Sequence, residues 1–548
     1  MSVGRVLGTQ DAMPLEFWVA IEKGEYLELD DVVVVRTELP DGQTVTLHGV
    51  VDLVKARHEG VQFDSDVFLV EEAILPAGTA RTAHVSVTRL EPEIYVPPLP
   101  GRTVERATGN DRERALFFDQ MARRFPLGLG RDGQVIYGNL EFLDGTRGAH
   151  VNISGISGIA TKTTYAMFML HALFRSGVLG TAAANAHALV FNVKGEDLLF
   201  LDQPNAGLTA DHVARYEKLG LPAAPFQSVQ LLAPVRRGSD LAIPDTGSRQ
   251  AGVTAYYWSL LEFCRDRYLR FLFAEADDET SQLGFLVQRV EAQLAASSRP
   301  DPLTPGAVEI GGNDAASDAE DLGRIIASNL DAWAGAAAAG TKAAFLRRLE
   351  AGLARVGHLV RRATEEEADR HRIDWAARQV SVIDIHNLHD QAKRFVVGVV
   401  LKRMFEDKEA RGTAQPLIFT VLDELNRYAP RTGWSPIKEV LLDIAERGRS
   451  LGIILIGCQQ TSSEVELRVI ANAAFRVVGR LDAAEAEKNE YRFMPAASRA
   501  RAGILKPGTL IVHQPELPVP LLLQFPYPAW ATRPSEVRAP DADPFKGF

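Results

Sequence analysis

The residues that offer the clearest chemistry follow an apolar strand near position 150. Residues 151–164 read VNISGISGIATKTT, and the helical stretch 165–174 comes directly after them. A strand, a glycine-containing turn, a Lys-Thr pair and a helix form the pattern of a phosphate-binding loop. The backbone N–H groups of such a turn and the positive end of the helix dipole attract phosphate groups. The spacing therefore predicts a site for a nucleoside triphosphate.

Within this segment, Lys162 is expected to reach the β- and γ-phosphates and the Thr163 hydroxyl to bind Mg²⁺. The loop departs from the usual pattern because Thr161 stands where a glycine normally precedes the lysine. Gly155 and Gly158 take the place of the usual glycines in a loop that is one residue longer. Taken alone, the segment also fits an ordinary strand, turn and helix. The nucleotide-binding residues predicted here are Gly155, Ser157, Gly158, Ala160, Thr161, Lys162, Thr163 and Thr164.

A second apolar strand, residues 417–422, ends in the acidic pair Asp423 and Glu424. At such a position the aspartate holds Mg²⁺, and the glutamate acts as the general base that polarises the attacking water. A strand that ends in a helix-capping aspartate is common, but an Asp-Glu pair downstream of a Lys-Thr loop is much rarer by chance. The two segments together predict an ATPase that uses ATP and Mg²⁺.

These residues need a sheet that brings them to one edge. From about residue 130, short apolar runs alternate with helical stretches; the runs are 188–192, 380–385, 417–422, 451–457 and 476–478. Strands buried on both faces, with helices between them, indicate a parallel α/β sheet. Residues 256–273 and 342–362 have a helical period, and residues 297–321, rich in Pro, Gly, Ser and Asp, are predicted to form an exposed loop.

The first 95 residues favour a small β domain. Residues 32–35 and 45–51 are β-branched runs joined by the turn sequence LPDG, and residues 67–70 and 84–88 are further short strands. Several short strands in this length indicate a barrel or sandwich. The predicted domains are a β-barrel at 1–100, an ATPase core in two parts at 101–250 and 373–512, a helical insertion at 251–372 and an extended proline-rich C-terminal arm at 513–548.

Composition limits the classes of protein that the chain can belong to. Of the 548 residues, 46% are hydrophobic and 24% charged, which excludes wholly disordered, collagen-like and disulfide-scaffold proteins. The formal charge of −11 excludes bulk attraction to nucleic acid, so any DNA contact must use a local basic groove or pore. Two cysteines, no signal-peptide pattern and no apolar run near 20 residues predict a reduced, cytoplasmic, soluble protein without membrane contact.

Taken in chain order, the motifs resemble the HerA family of hexameric DNA-translocating ATPases, relatives of FtsK and of the conjugative coupling motors. The segments that carry the resemblance are GRVLG (4–8), PLEF (14–17), HGVV (48–51), FNVKGE (191–196), DELNRY (423–428), ERGRSLG (446–452) and GCQQTS (457–462). The resemblance covers nearly the whole chain. It implies a RecA-like P-loop core and identifies the N-terminal β domain with the family's HAS-barrel.

The resemblance also implies roles for single residues. Gln459 corresponds to the sensor of the γ-phosphate, and Glu196 belongs to the nucleotide-binding motif after the P-loop helix. Arg449 corresponds to the arginine that contacts the nucleotide at the subunit boundary. Arg147 is the candidate finger for the neighbouring subunit's ATP, because charge that builds on the γ-phosphoryl oxygens needs a nearby cation.

The function implied is that of a homo-hexameric motor that moves along DNA by sequence-independent contacts with the phosphate backbone. A partner nuclease of the NurA type, or another effector, is expected to dock on the N-terminal barrel, in DNA end processing, repair or anti-phage defence. Two alternatives remain open. One is a nucleotide-binding ring scaffold with weak hydrolysis, and the other is a conjugation-type coupling ATPase.

Overall fold

The structure, a computed structural model, describes residues 2–61, 63–156, 162–273, 282–312 and 314–537. It divides into two compact units, each built from separate parts of the chain. Met1–Leu140 and Phe475–Phe525 form the first, which we call the barrel unit. Glu141–Ala474 and Pro526–Phe548 form the second, which we call the core unit.

The barrel unit begins with six strands that close on themselves in the order β1-β2-β5-β4-β3-β6, with antiparallel neighbours. The strands are β1 (Ser2–Val6), β2 (Glu16–Ile21), β3 (Val32–Glu38), β4 (Thr44–Glu59), β5 (Gly78–Glu91) and β6 (Thr103–Arg106). Alternate side chains fill the interior, including Val33 and Val35, both fully buried. The predicted N-terminal β-barrel is confirmed.

One predicted strand of this unit is wrong. Residues 67–70 lie in helix α1 (Asp66–Glu71), which has no buried residue. The reason is that β4 and β5 pair with each other as far as Glu59 and Gly78, so the segment between them lies at the tip of a long hairpin. A short apolar run at such a tip has no strand edge with which to pair.

Helix α2 and two strands complete the first part of the barrel unit: α2 (Asn110–Ala115), β7 (Arg124–Leu129) and β8 (Val135–Asn139). The core unit then begins with β9 (Val151–Ser154), α3 (Lys162–Arg175), β10 (Ala186–Asn192), α4 (Ala210–Lys218), β11 (Val229–Pro234) and β12 (Val253–Tyr256). A largely helical insertion follows: β13 (Trp258–Ser259), α5 (Leu260–Arg265), α6 (Gln282–Ser297), β14 (Ser298–Pro300), β15 (Val308–Ile310), β16 (Asp314–Ala316), α7 (Ala319–Ala334), α8 (Ala339–Val356), β17 (Val360–Arg361) and α9 (Glu365–Arg370).

The chain then returns to the main sheet of the core unit. The remaining elements are β18 (Val380–Asp384), α10 (Asp390–Arg411), β19 (Leu417–Asp423), α11 (Leu425–Tyr428), α12 (Pro436–Leu451), β20 (Ile453–Gln459) and α13 (Leu467–Ala471). Seven strands of this unit lie in the order β12-β11-β18-β10-β19-β20-β9, and every neighbouring pair is parallel. The predicted parallel α/β core with a helical insertion is confirmed.

The insertion departs from its sequence pattern in two places. Residues 298–316, predicted as a loop, contain the antiparallel sheet β14-β15-β16, whose central strand buries Val308 and Ile310. Within 256–273 the α-helix is restricted to α5. Its start is fixed by Ser259, whose side chain accepts a hydrogen bond from the Glu262 N–H in a capping box.

The barrel unit ends with β21 (Phe475–Val478), α14 (Ala483–Ala486), α15 (Ala496–Ala502), β22 (Thr509–His513) and β23 (Leu521–Gln524). These strands form an antiparallel sheet with β7 and β8, in the order β21-β22-β23-β7-β8. The run 476–478 was expected in a parallel sheet; it is a strand, but its neighbour β22 is antiparallel, and an apolar run carries no information on strand direction. Among the described residues, no helix combines the length and apolarity needed to cross a bilayer.

A buried histidine of the core unit makes stability depend on pH. His171 on α3 hydrogen-bonds through Nε2 to the Ala224 carbonyl at 3.0 Å, and its ring lies among Tyr216, Phe226 and Trp530. Burial lowers the pKa of His171 to about 4. As pH falls, the unfolded chain takes up this proton first, near pH 6.5, so stability contributed by the neutral ring is present above about pH 6.5 and is lost towards pH 4.

We therefore expect His171→Phe to lose less stability than the wild type when the pH is lowered from 7.5 to 5. The two losses of unfolding free energy should differ by about 2 kcal/mol, because at pH 5 His171 is protonated in the unfolded wild-type chain and neutral in the folded one. Urea unfolding of both proteins at the two pH values measures it. Equal losses would show that this ring does not titrate as described.

Candidate nucleotide site

The carboxyl ends of five parallel strands place polar side chains along one edge of the core-unit sheet. In spatial order these are Asp384 on β18, Asn192 on β10, Asp423 on β19, Gln459 on β20 and Ser154 on β9. Ligands of open α/β sheets bind at this edge, because the connecting turns and helix N-termini gather there.

The strand that precedes the predicted P-loop does not touch the acidic strand. β20 lies between them: it pairs with β9 through Gln459 and Ser154, and with β19 through Asp423 and Cys458. Helix α3 packs against all three strands. The strand before the predicted P-loop (β9), the strand that ends at Gln459 (β20) and the acidic strand (β19) thus lie side by side, and the predicted RecA-like fold is confirmed.

Lys162 begins helix α3 and is 6% exposed. Its Nζ donates a hydrogen bond to the Gly155 carbonyl at 2.7 Å, which brings both ends of the P-loop together. Burial lowers the pKa of Lys162, and the Asp423 carboxylate opposes this by favouring the charged form. Four of the predicted nucleotide-binding residues, Ser157, Gly158, Ala160 and Thr161, lie outside the described residues.

Thr163 and Asp423, predicted from segments 260 residues apart, meet at the sheet edge. The Thr163 Oγ1 donates a hydrogen bond to Asp423 Oδ2 at 3.2 Å. A hydroxyl and a carboxylate are the hard oxygen ligands that Mg²⁺ prefers, so this pair fits that ion. Thr164 follows on the helix and lines the same pocket as Lys162 and Asp423.

Glu424 adopts a backbone conformation that is rare for a residue other than glycine, with φ 56° and ψ 40°. Its N–H donates to Asp423 Oδ1 at 2.8 Å, so the sharp turn after β19 is closed by its own aspartate. The side chain is paired on both oxygens: Oε1 lies 3.0 Å from Lys194 Nζ and Oε2 lies 3.0 Å from Arg427 Nε.

The chain's C-terminal segment contributes to the same pocket. Trp530 and Thr532 line it together with Lys162, Lys194 and Asp423. Three hydrogen bonds fix this segment to the rest of the core unit. The Tyr216 hydroxyl donates to the Tyr527 carbonyl at 3.0 Å, and Asn205 Nδ2 donates to the Trp530 carbonyl at 3.1 Å. The Ala531 N–H donates to the Gln203 carbonyl at 2.8 Å.

Gln459 lies at the end of β20 and is fully buried. Its side-chain Nε2 donates to Ser462 Oγ at 3.1 Å and to Asn152 Oδ1. Its backbone carbonyl accepts a hydrogen bond from the Gly155 N–H at 3.2 Å. Gln459 Oε1 has no hydrogen-bond partner among the described residues. The residue therefore anchors the start of the P-loop, and its free amide oxygen is compatible with the predicted sensor role.

The two candidate arginines lie together on another part of the core unit. Arg449 donates to the carbonyls of Gly145 and Thr146 at 2.9 and 2.7 Å. Arg147, the next residue, lies 3.6 Å from Glu141 and over the Phe142 ring. Both side chains are exposed and neither lines the pocket around Lys162, so their predicted roles at a subunit boundary stay predictions.

Glu196 has contacts of its own within the core unit. Its carboxylate accepts hydrogen bonds from the N–H groups of Gly247 and Ser248, at 2.6 and 2.9 Å. Burial raises the pKa of Glu196, but the hydrogen bonds from Ser248 and Gly247 outweigh this and hold it below its usual value. This carboxylate thus fixes a neighbouring loop, and its predicted nucleotide contact stays a prediction.

Sequence reasoning missed Lys194, Arg427, Trp530 and Thr532 as parts of the site. The position of Lys194 could have been predicted, because it follows strand β10, and β10 ends at the same sheet edge as β19. Arg427 is three residues from Glu424 and reaches it across one helical turn. The positions of Trp530 and Thr532 could not have been predicted from the sequence, since they depend on where the C-terminal arm folds back.

The comparisons with known proteins found no matching family model and no curated relative. Among solved structures, VirB4 of Thermoanaerobacter pseudethanolicus has 15% identity and a TM-score of 0.45, with 76% of this chain and 99% of that chain covered. The bacterial conjugative coupling protein TrwB, in its unbound monoclinic form, has 13% identity and a TM-score of 0.46, with 76% and 93% covered. The genome packaging NTPase B204 from Sulfolobus turreted icosahedral virus 2 has 14% identity and a TM-score of 0.21, with 28% and 70% covered. At these values the likenesses assign neither a family nor an activity to this chain.

Proposed function

We propose that the chain is an ATP hydrolase whose site lies at the carboxyl edge of the core-unit sheet. The observation that carries this proposal is the meeting of Lys162, Thr163 and Asp423 in one pocket at that edge, with Glu424 joined to Asp423 by its N–H and β20 between the two motif strands. These residue types match the needs of phosphoryl transfer, which are a cation on the phosphates, oxygen ligands for Mg²⁺ and a base for water.

Each residue has a distinct task in this reaction. Lys162 neutralises charge on the β- and γ-phosphates and remains attached to the P-loop through Gly155. Thr163 and Asp423 would hold Mg²⁺, which when bound would supply positive charge to the phosphates. Glu424 accepts the proton of the attacking water. The strained backbone turn at this residue fixes the point from which its side chain extends.

We further propose that six copies form a ring that couples hydrolysis to movement along DNA. The support is the resemblance of the motifs to the HerA family together with the exposed pair Arg147 and Arg449, which suits a trans contact with a neighbour's ATP. A nuclease of the NurA type or another effector on the N-terminal barrel is part of the same proposal and rests on that resemblance alone. A conjugation-type coupling ATPase would use the same residues for hydrolysis.

The scaffold alternative draws on one observation. Both oxygens of Glu424 are in ion pairs, and a carboxylate held in that way is a poor acceptor for the proton of water. If these pairs persisted with ATP bound, the ring would bind nucleotide and hydrolyse it slowly. Turnover of the wild-type protein with duplex DNA present distinguishes a motor from a scaffold.

Assembly gives the first test of the ring. We expect native mass spectrometry at micromolar concentration to show a hexamer, because a finger arginine acts on a neighbouring subunit's nucleotide. Arg147→Ala, which removes the candidate finger, should lower turnover while each subunit still binds ATP. A persistent monomer at this concentration would exclude the ring.

DNA binding should fall steeply with salt in spite of the acidic composition. Contacts to several phosphates release counterions, so affinity should drop by about two orders of magnitude or more between 50 and 200 mM salt. Fluorescence anisotropy with a labelled duplex, at a fixed concentration of a non-hydrolysable ATP analogue, measures this. A flat response would argue against contacts with the phosphate backbone.

A further inference from the structure

Lys194 is a second lysine in the candidate nucleotide pocket. It belongs to the segment FNVKGE (191–196), in which the family resemblance implies a role for Glu196 alone. Its Nζ lies 3.0 Å from Glu424 Oε1 and 3.7 Å from Asp423 Oδ2. The side chain is 44% exposed and lines the pocket together with Lys162 and Thr163. Lys194 thus faces both the acidic pair and the space beside the P-loop lysine.

The position of Lys194 is built by the turn after β10. Asn192 Nδ2 donates to the Gly195 carbonyl and to Asp384 Oδ1, both at 2.8 Å, which closes the turn and fixes it to the neighbouring strand. Lys393 Nζ donates to the Val193 carbonyl at 3.2 Å. A turn held on both sides of Lys194 directs this side chain towards the end of β19, unlike a surface lysine that meets a carboxylate by chance.

The two cations on Glu424 differ in what they can reach. Arg427 lies on the helical turn after Glu424, its side chain is half exposed, and it also lies 3.6 Å from Asp390. Lys194 lines the pocket, and Arg427 is not among the lining residues. An anion that enters the pocket can therefore attract Lys194 while Arg427 keeps its contact with Oε2.

We propose that Lys194 has two alternative partners, the Glu424 carboxylate and the terminal phosphate of a nucleoside triphosphate. The inference rests on the proposed function and deepens it. A triphosphate carries several negative charges and Glu424 carries one, so a triphosphate beside Lys162 attracts the Lys194 ammonium more strongly. Binding of the triphosphate then frees Glu424 Oε1, and the same motion adds a second cation to the phosphate that is transferred.

The hydrolysis step that follows is balanced within the site. The oxygen of water forms a bond to the γ-phosphorus, and the bond between that phosphorus and the β–γ bridging oxygen breaks. The proton of the water goes to Glu424 Oε1, which Lys194 has left, while the leaving diphosphate keeps the electron pair of the broken bond. A diphosphate has no terminal phosphate at this place, so Lys194 should distinguish triphosphate from diphosphate.

The test compares the affinities of wild type, Lys194→Met and Lys194→Arg for a non-hydrolysable ATP analogue and for ADP, by isothermal titration calorimetry. Lys194→Met should weaken binding of the ATP analogue about ten- to a hundredfold and binding of ADP by less than threefold, because only the terminal phosphate loses a cation. Lys194→Arg, which keeps the positive charge, should retain most of the wild-type preference for the ATP analogue over ADP. Steady-state turnover should show a matching fall in kcat for Lys194→Met. Lys342→Met, which removes a lysine paired with Asp331 in the insertion, is the matched control and should change neither affinity.

A double-mutant cycle with Glu424→Gln separates the two partners. In the wild-type background Glu424→Gln should tighten binding of the ATP analogue, since it removes the competitor for Lys194, and in the Lys194→Met background this gain should disappear. If Lys194→Met weakened binding of the ATP analogue and of ADP equally, or left the ratio of the two affinities unchanged, this inference would be overturned while the proposed function would stand. A wild-type protein that binds neither nucleotide would overturn the proposed function, and the inference with it.

Discussion

Replacing Lys162 with alanine should abolish ATP hydrolysis. The lysine begins helix α3, is buried and donates a hydrogen bond to the Gly155 carbonyl, so it is held at the end of the predicted P-loop, where it would neutralise the β- and γ-phosphates. Losing a charge-assisted contact that strengthens in the transition state should cost about 10²–10³-fold or more in turnover. Phosphate release by the purified protein, with and without duplex DNA, measures this.

The unusual residue before the lysine provides a comparison. Thr161 lies outside the described residues, and we expect Thr161→Gly to gain nothing and to lose some activity, because glycine adds backbone freedom. A rise in turnover would instead show that the threonine impairs the loop. The control Lys342→Ala, outside the pocket, should hydrolyse ATP at the wild-type rate. Turnover of Lys162→Ala equal to that of an active wild type would show that another residue neutralises the phosphates.

Replacing Glu424 with glutamine should separate binding from hydrolysis. The amide keeps the size of the side chain and removes the proton acceptor, so turnover should fall by about 10²–10⁴-fold while ATP binds at least as tightly as in the wild type. Asp423→Asn should differ, because Asp423 bonds to Thr163 Oγ1 and to the Glu424 N–H, and its loss should weaken the dependence of activity on Mg²⁺.

A matched control for this variant lies on helix α10. Glu406→Gln also removes a glutamate that pairs with a lysine, Lys402, and this pair is not part of the pocket. It should leave turnover and affinity unchanged. Wild-type turnover in Glu424→Gln would mean that the general base is a different group.

The site residues that could be predicted are those whose position follows from a strand end. Asp423 ends the apolar strand β19, Lys162 begins the helix that follows β9, and parallel strands bring their carboxyl ends to one edge of the sheet. The sequence pattern therefore predicted that residues 260 positions apart lie at one sheet edge, and the hydrogen bond between Thr163 and Asp423 confirms that they are in contact.

Other features depend on contacts that no local pattern encodes. Lys194 follows a strand in the same way, but its role depends on β10 being the direct neighbour of β19. Trp530 reaches the pocket only because the C-terminal segment binds residues 203–216 of the core unit, and a run of prolines does not specify where an arm folds back. The strands of residues 298–316 were missed because Val308 and Ile310 are too few to outweigh the turn-forming residues around them.

The measurement that tests the central claim most directly is steady-state phosphate release by wild type, Lys162→Ala and Glu424→Gln, each with and without duplex DNA. We expect wild-type turnover that rises with DNA, and near-background rates for both variants under both conditions. Equal, near-zero rates in all three proteins would contradict the claim that this sheet edge is an ATP-hydrolysing site.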